Sequence, residues 1–191
     1  MLSCQHVLVH DNVLTPDDTI LQSAVCDGGV YPTHRVGQTH APTFRKLDLA
    51  HNTSEAALAD IDAGIPSDPT VIGIGPLNGP WAAADPATVL GLAVRKSGFK
   101  TGVTNGRVRA LLTTNLSVEY PSTTRYFDDV LEVEGVDPLV DFSQGGDSGA
   151  VVVDGNREAL GLVFAGENDE DVTYVVRIAN VFGALGVQSF L

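Results

Sequence analysis

Cysteine is nearly missing from this 191-residue chain: Cys4 and Cys26 are the only two, too few for the disulfide framework of a small secreted protein. That favours a reducing compartment, the cytoplasm, or a fold stable without bridges. Basic residues are scarce as well. Eleven Lys and Arg stand against 24 Asp and Glu, a formal charge of −13, and a surface of that sign repels nucleic acid and anionic membrane. No apolar run approaches the ~20 residues of a membrane-spanning helix. The start, Met1 to His10, carries two histidines and no basic stretch of the kind that opens a signal peptide. Histidine stops early, with none after His51. Repeats and low-complexity tracts are absent. The chain is long enough to bury a sizeable core, as one domain or as two fused halves.

The most informative run present is Gln144-Gly145-Gly146-Asp147-Ser148-Gly149-Ala150, followed by Val151-Val152-Val153. A serine between an aspartate and a glycine lets the backbone turn sharply and aim a hydroxyl and nearby N–H groups at one spot. Acyl transfer needs that arrangement: the hydroxyl attacks a carbonyl, and the amides of Gly146 and Ser148 hold the oxyanion. The same run also reads as an ordinary Gly-rich turn opening a buried strand. Chain order narrows the choice of hydrolase. With no histidine after Ser148 the α/β-hydrolase order fails, and with no carboxylate before His6 the subtilisin order fails. Histidine, acid, serine remains.

His6, in Ser3-Cys4-Gln5-His6-Val7-Leu8, is the histidine in the most hydrophobic setting, and reads either as a base or as a histidine packed at a strand end. His10 follows four residues later, but no third ligand stands at a usual interval, so no metal is expected. No cofactor is expected either. Gly73-Ile74-Gly75 resembles a dinucleotide loop only superficially, because Pro76 and Pro80 prevent a helix from opening after it.

Elsewhere short β-rich runs alternate with Gly/Pro/Asp turns. Strands are expected over 35–39, 56–61, 89–96, 106–114, 130–134, 150–153, 159–164 and 172–178, with a closing helix over 178–185. The proline-rich stretch 64–86 reads as a connection between two halves, 1–75 and 76–191.

Three segments taken together carry a resemblance: Cys4-Gln5-His6-Val7-Leu8, the run Val94-Arg95-Lys96-Ser97-Gly98-Phe99-Lys100-Thr101-Gly102-Val103-Thr104-Asn105-Gly106-Arg107-Val108, and Gly146-Asp147-Ser148-Gly149. In order and spacing they resemble the trypsin-like (chymotrypsin-fold) serine peptidases, in their disulfide-poor microbial branch. The resemblance implies an all-β double barrel with a short C-terminal helix and an active site between the barrels. It implies His6 as general base, Ser148 as nucleophile, the Gly146 and Ser148 amides as oxyanion hole, and a polypeptide substrate. In Asn52-Thr53-Ser54-Glu55-Ala56-Ala57-Leu58, Glu55 stands where the family has an aspartate, with Asp60 in reserve. Arg95 and Asn105 take the positions of a cysteine pair found in some secreted relatives. Phe142, Phe164 and Gly166 match the specificity pocket, and Phe142 in place of a floor carboxylate implies a small or apolar P1 residue. The acidic turn at Glu167, Asp169, Glu170 and Asp171 reads as a solvated hairpin tip.

Two departures stand out. Glutamate replaces aspartate, and only five residues precede His6, so either the chain is N-terminally truncated or the first barrel is expected to have fewer strands than the family's or to be completed by another chain. The expected function is a serine endopeptidase. The alternative is a catalytically degenerate domain that binds peptides or serves assembly.

Overall fold

A computed structural model describes residues 1–9, 18–44, 46–82, 88–167 and 171–190. The fold is all-β with a helix near its end. In the first half, β1 (Leu2–Ser3), β2 (Thr19–Leu21), β3 (Arg35–Phe44) and β4 (Ala57–Ile61) form one sheet in the order β1-β4-β3-β2. Its own core is small: Leu8, Val9, Ala57 and Ala59, with Ile20 against them. The proline-rich stretch contributes only the two-residue strands β5 (Thr70–Val71), β6 (Gly75–Pro76) and β7 (Gly79–Pro80), and its residues 83–87 lie outside the described set.

The second half closes on itself. Strands β8 (Ala93–Gly98), β9 (Gly102–Thr113), β12 (Val130–Gly135), β13 (Val151–Val153), β14 (Glu158–Glu167) and β15 (Val172–Arg177) pair in the order β13-β8-β9-β12-β15-β14. A β13–β14 pairing seals the barrel, and β7 adds parallel to β14. Closure removes the exposed edges that an open sheet would present. Alternate residues point inward: Val94, Val108, Leu131, Val133, Val152, Leu160 and Val175 pack around Phe142. In the β8–β9 hairpin Arg95 lies directly opposite Asn105.

A third apolar cluster joins the halves. It includes Cys4, Phe127, Phe164, Val176, Val181 and Phe182, with the Phe127 and Phe164 rings 4.8 Å apart. The last two of those residues lie on α2 (Ile178–Leu185), which ends where Gly186 adopts φ +67°. Such a left-handed residue is the usual way to stop a helix.

Several expectations change. His6 sits not at a strand end but on α1 (Gln5–Leu8), one helical turn directly after β1. The strand expected from 89 begins at Ala93, with Val89 buried ahead of it. The hairpin β10 (Leu116–Tyr120) and β11 (Thr123–Phe127) was not anticipated. It is stapled to the first half by the Arg125 guanidinium, which donates to the Leu47 and Asp48 carbonyls. The Asn52 side chain and the Tyr126 carbonyl add to the staple. No helix among the described residues is long and apolar enough to cross a membrane.

Candidate active site

The β1–β4 register places Glu55. Leu2 faces Leu58 and Ser3 faces Ala57, so the residues just after β1 run beside those just before β4, and Glu55 arrives under the first turn of α1. One oxygen, Oε1, accepts two hydrogen bonds from His6: from its backbone N–H at 2.9 Å and from Nδ1 at 3.0 Å. The Glu55 side chain is fully buried, whereas that of His6 is 33% exposed. A carboxylate only accepts, so Nδ1 is the donor of that bond, and in the neutral imidazole Nε2 then holds the lone pair. An imidazole fixed in one tautomer is the result. Asp60 lies five residues on, at an exposed position of β4 opposite Gln38.

Beside this pair the cavity wall mixes apolar Val9, Tyr120 and Phe164 with polar Gln5, Glu119 and Arg125. The Tyr120 ring meets His6 edge-on at 6.2 Å. Burial, then the Glu55 charge, holds the Tyr120 phenol well above its ordinary pKa, so it stays protonated. Burial likewise pushes the Cys4 thiol up, with Glu55 adding to it. Cys4 Sγ donates to the Val163 carbonyl at 3.0 Å.

Ser148 reaches the same region from the second barrel. Its turn uses Gly146 at φ +109° and Gly149 at φ +88°, conformations that favour glycine. A Cβ on Gly149 would strike Ser3 Oγ and crowd the Cys4 amide, so the turn lies directly against the junction that carries His6. The N–H of Gly149 and the thiol of Cys4 converge on one carbonyl, that of Val163. Along the turn the N–H groups of Asp147, Gly149 and Ala150 donate to the carbonyls of Gln144, Val163 and Asp147. Among the described residues, those of Gly146 and Ser148 have no internal acceptor. The two cavities flanking the site adjoin through Val118, Glu119 and Phe164: one of about 250 Å³ beside His6 and Glu55, one of about 400 Å³ beside Ser148. No hydrogen bond joins Ser148 to His6 among the described residues.

The run Lys96 to Thr101 explains how the turn is held. Asp147 is fully buried and accepts hydrogen bonds from the amides of Lys100 (2.7 Å), Thr101 (3.2 Å) and Gln144 (3.1 Å), and from the Thr101 hydroxyl (2.7 Å). Lys96 Nζ, also fully buried, stands 3.2 Å from Asp147 Oδ2 and donates to Thr101 Oγ1 and the Gly102 carbonyl. Burial pushes the Asp147 carboxyl up, but the donors from Thr101, Gln144 and Lys100 outweigh it and hold it below the usual carboxylate range. Gly98 is required because a Cβ there would collide with the Asp147 carboxylate. The Lys-Ser-Gly and Lys-Thr-Gly pieces thus form a socket for the residue before the serine, a role that the sequence pattern alone did not reveal.

The expected pocket residues separate. Phe164 and Gly166 line the 400 Å³ cavity together with Ser143, Gln144, Glu167 and Tyr174. Phe142 does not line it: it is fully buried in the barrel core, with Lys96 Nζ 5.9 Å from its ring centre. The acidic turn is more than a solvated tip. Asp171 accepts the N–H groups of Gly135 and Phe142 at 3.1 Å each, bracing the loop before the turn that carries Ser148. Glu167 accepts the Tyr174 hydroxyl at 2.7 Å, while Asp169 and Glu170 lie outside the described residues.

No family model matches the sequence, and no curated protein matches it. Solved structures do. The chain is similar to the chymotrypsin of Cellulomonas bogoriensis (20% identity over 97% of this chain and 82% of that one, TM-score 0.56). It is also similar to protease A of Thermobifida fusca (18%, 98% and 82%, TM-score 0.60) and to the Nocardiopsis protease (16%, 97% and 82%, TM-score 0.60). The chain therefore has the fold of the bacterial chymotrypsin-like serine proteases.

Proposed function

We propose that the chain is a serine endopeptidase acting through His6, Glu55 and Ser148. The observation that carries this reading is the double hydrogen bond from His6 to one oxygen of a fully buried Glu55, which fixes the tautomer a general base needs. His6 Nε2 takes the Ser148 proton as Oγ attacks the scissile carbonyl, and Glu55 stabilises the imidazolium that forms. The negative oxygen is received by the N–H groups of Gly146 and Ser148. His6 then gives its proton to the leaving amine, and water repeats the cycle on the acyl-enzyme. The Ser148–His6 hydrogen bond forms as substrate fills the cleft, because such contacts are often long in a free enzyme. Residues 1–75 supply base and acid, and residues 76–191 supply the nucleophile.

With Phe142 in the core, the argument for an apolar pocket floor loses its basis. The 400 Å³ cavity is lined by Glu119 and Glu167 and, among the described residues, by no cation, so an acidic P1 residue is disfavoured. The second reading, a domain that binds peptides without turnover, draws on the missing Ser148–His6 hydrogen bond. A peptide library separates the two. Cleavage by the wild type, lost in both Ser148→Ala and His6→Ala, supports the peptidase, and a profile dominated by Glu or Asp at P1 refutes the pocket assignment. Peptide binding with no cleavage by a folded wild type overturns catalysis.

A further inference from the structure

We propose that Cys4, His6 and Glu55 together bind a thiophilic divalent cation, Zn²⁺, and that its binding switches the site off. One ligand atom from each residue lies within 4.8 Å of the other two. Tetrahedral zinc, with bonds of about 2.3 Å to sulfur and about 2.0 Å to nitrogen or oxygen, separates its ligand atoms by about 3.3–3.6 Å. Shifts of about an ångström suffice.

A second observation points to a ligand. Oε2 of Glu55 is buried and accepts no hydrogen bond from a nitrogen or oxygen donor, the Cys4 thiol interacts with the same carboxylate, and Oε1 carries both bonds from His6. A buried carboxylate oxygen so weakly satisfied is costly, and a cation would satisfy it. The charges also balance: a dication with one thiolate, one carboxylate and a neutral imidazole is neutral overall, which lowers the cost of burial. The thiol proton leaves to solvent as the metal–sulfur bond forms. A set of one sulfur, one nitrogen and one oxygen suits zinc or cobalt rather than calcium or magnesium. The 250 Å³ cavity lined by Gln5, His6, Glu55 and Tyr120 supplies the approach and room for a water as fourth ligand. Spacing along the chain hides this site, since the His6–His10 pattern directs attention away from Cys4.

A metal on Nδ1 leaves the neutral imidazole's single proton on Nε2, which then has no lone pair to accept the Ser148 proton, so the imidazole no longer works as a base. That inhibition rests on the peptidase reading, whereas the ligation does not. The test uses the full chain carrying Cys26→Ser, which removes the exposed thiol. Metal-free protein titrated with Co²⁺ is expected to bind one equivalent with a thiolate-to-cobalt charge-transfer band, displaced by Zn²⁺ and lost in Cys4→Ala and in the volume-conserving Cys4→Ser. Zn²⁺ is expected to suppress hydrolysis of an activated ester at least tenfold, reversibly with a chelator, while Cys4→Ser keeps its own metal-free rate in zinc. Absence of the band, its persistence in both Cys4 variants, or equal zinc inhibition of Cys4→Ser overturns the proposal. A band in a protein that hydrolyses nothing upholds the cation site and overturns the peptidase reading instead.

Discussion

Replacing Lys96 with methionine strands the Asp147 carboxylate at the base of the turn that carries Ser148. The two groups stand 3.2 Å apart with both side chains fully buried, and removing one partner of a buried pair typically costs about 3–5 kcal/mol. Four hydrogen bonds to Asp147 survive, from Thr101 Oγ1 and the amides of Gln144, Lys100 and Thr101. The buried ammonium also no longer has to be desolvated, so the low end applies, about 3 kcal/mol. For a chain of this size that lowers Tm by roughly 6–12 °C. Asp147→Asn alone strands Lys96 and should cost a similar amount. The double variant leaves neither charge unpaired and should recover part of the loss, giving a coupling of about 1 kcal/mol or more. Thermal unfolding of all four proteins by circular dichroism at neutral pH measures this. A Lys96→Met loss below about 1 kcal/mol, or two single effects that simply add, refutes the socket argument.

Glu55→Gln should leave the fold intact and lower kcat for ester hydrolysis by about 10⁴, the loss seen when a triad acid becomes an amide; Asp60→Asn should be nearly silent. Glu55→Asp draws the carboxylate back by about a bond length from an oxygen already well placed on His6, so the rate should fall by about 10² even though aspartate is the family residue. Gly149→Ala should lower stability by about 1–3 kcal/mol, because its Cβ meets Ser3 at a φ that disfavours alanine. The Asp147 carboxyl is held below its ordinary pKa, so the stability it contributes is complete above about pH 4 and drains away as pH falls through its lower folded value. Tm measured against pH should therefore show an acid limb that is shallower in Asp147→Asn.

Much of the barrel was legible because its strands are runs of β-branched residues broken by turn residues. Val151 to Val153 and Val172 to Val176 could hardly pack otherwise. The β10–β11 hairpin does carry a strand signal, since Leu116, Val118 and Tyr120 alternate with Ser117 and Glu119, but its turn, Pro121-Ser122, lacks the Asn-Gly or Asp-Gly pair that marks a tight hairpin. The helical placement of His6 was hidden, since four residues are too few for a 3.6-residue period to declare itself. At the site, Glu55 could be aligned from its neighbours, yet its contact with His6 depends on the pairing of β1 with β4, two segments far apart in the chain. The Lys96–Asp147 socket and the Asp171 brace are likewise cross-strand contacts with no local signature. Phe142 shows the opposite limit: its position in the chain suggested a pocket floor, but only the barrel closure decides which way the ring points.

The central claim is that Ser148 is an activated nucleophile, and a fluorophosphonate probe followed by intact mass and peptide mapping tests it most directly. The account predicts one adduct per chain, on Ser148, formed rapidly by the wild type, far more slowly by Glu55→Gln, and absent from Ser148→Ala. A folded wild type that gains no adduct, or gains it on another serine, contradicts it.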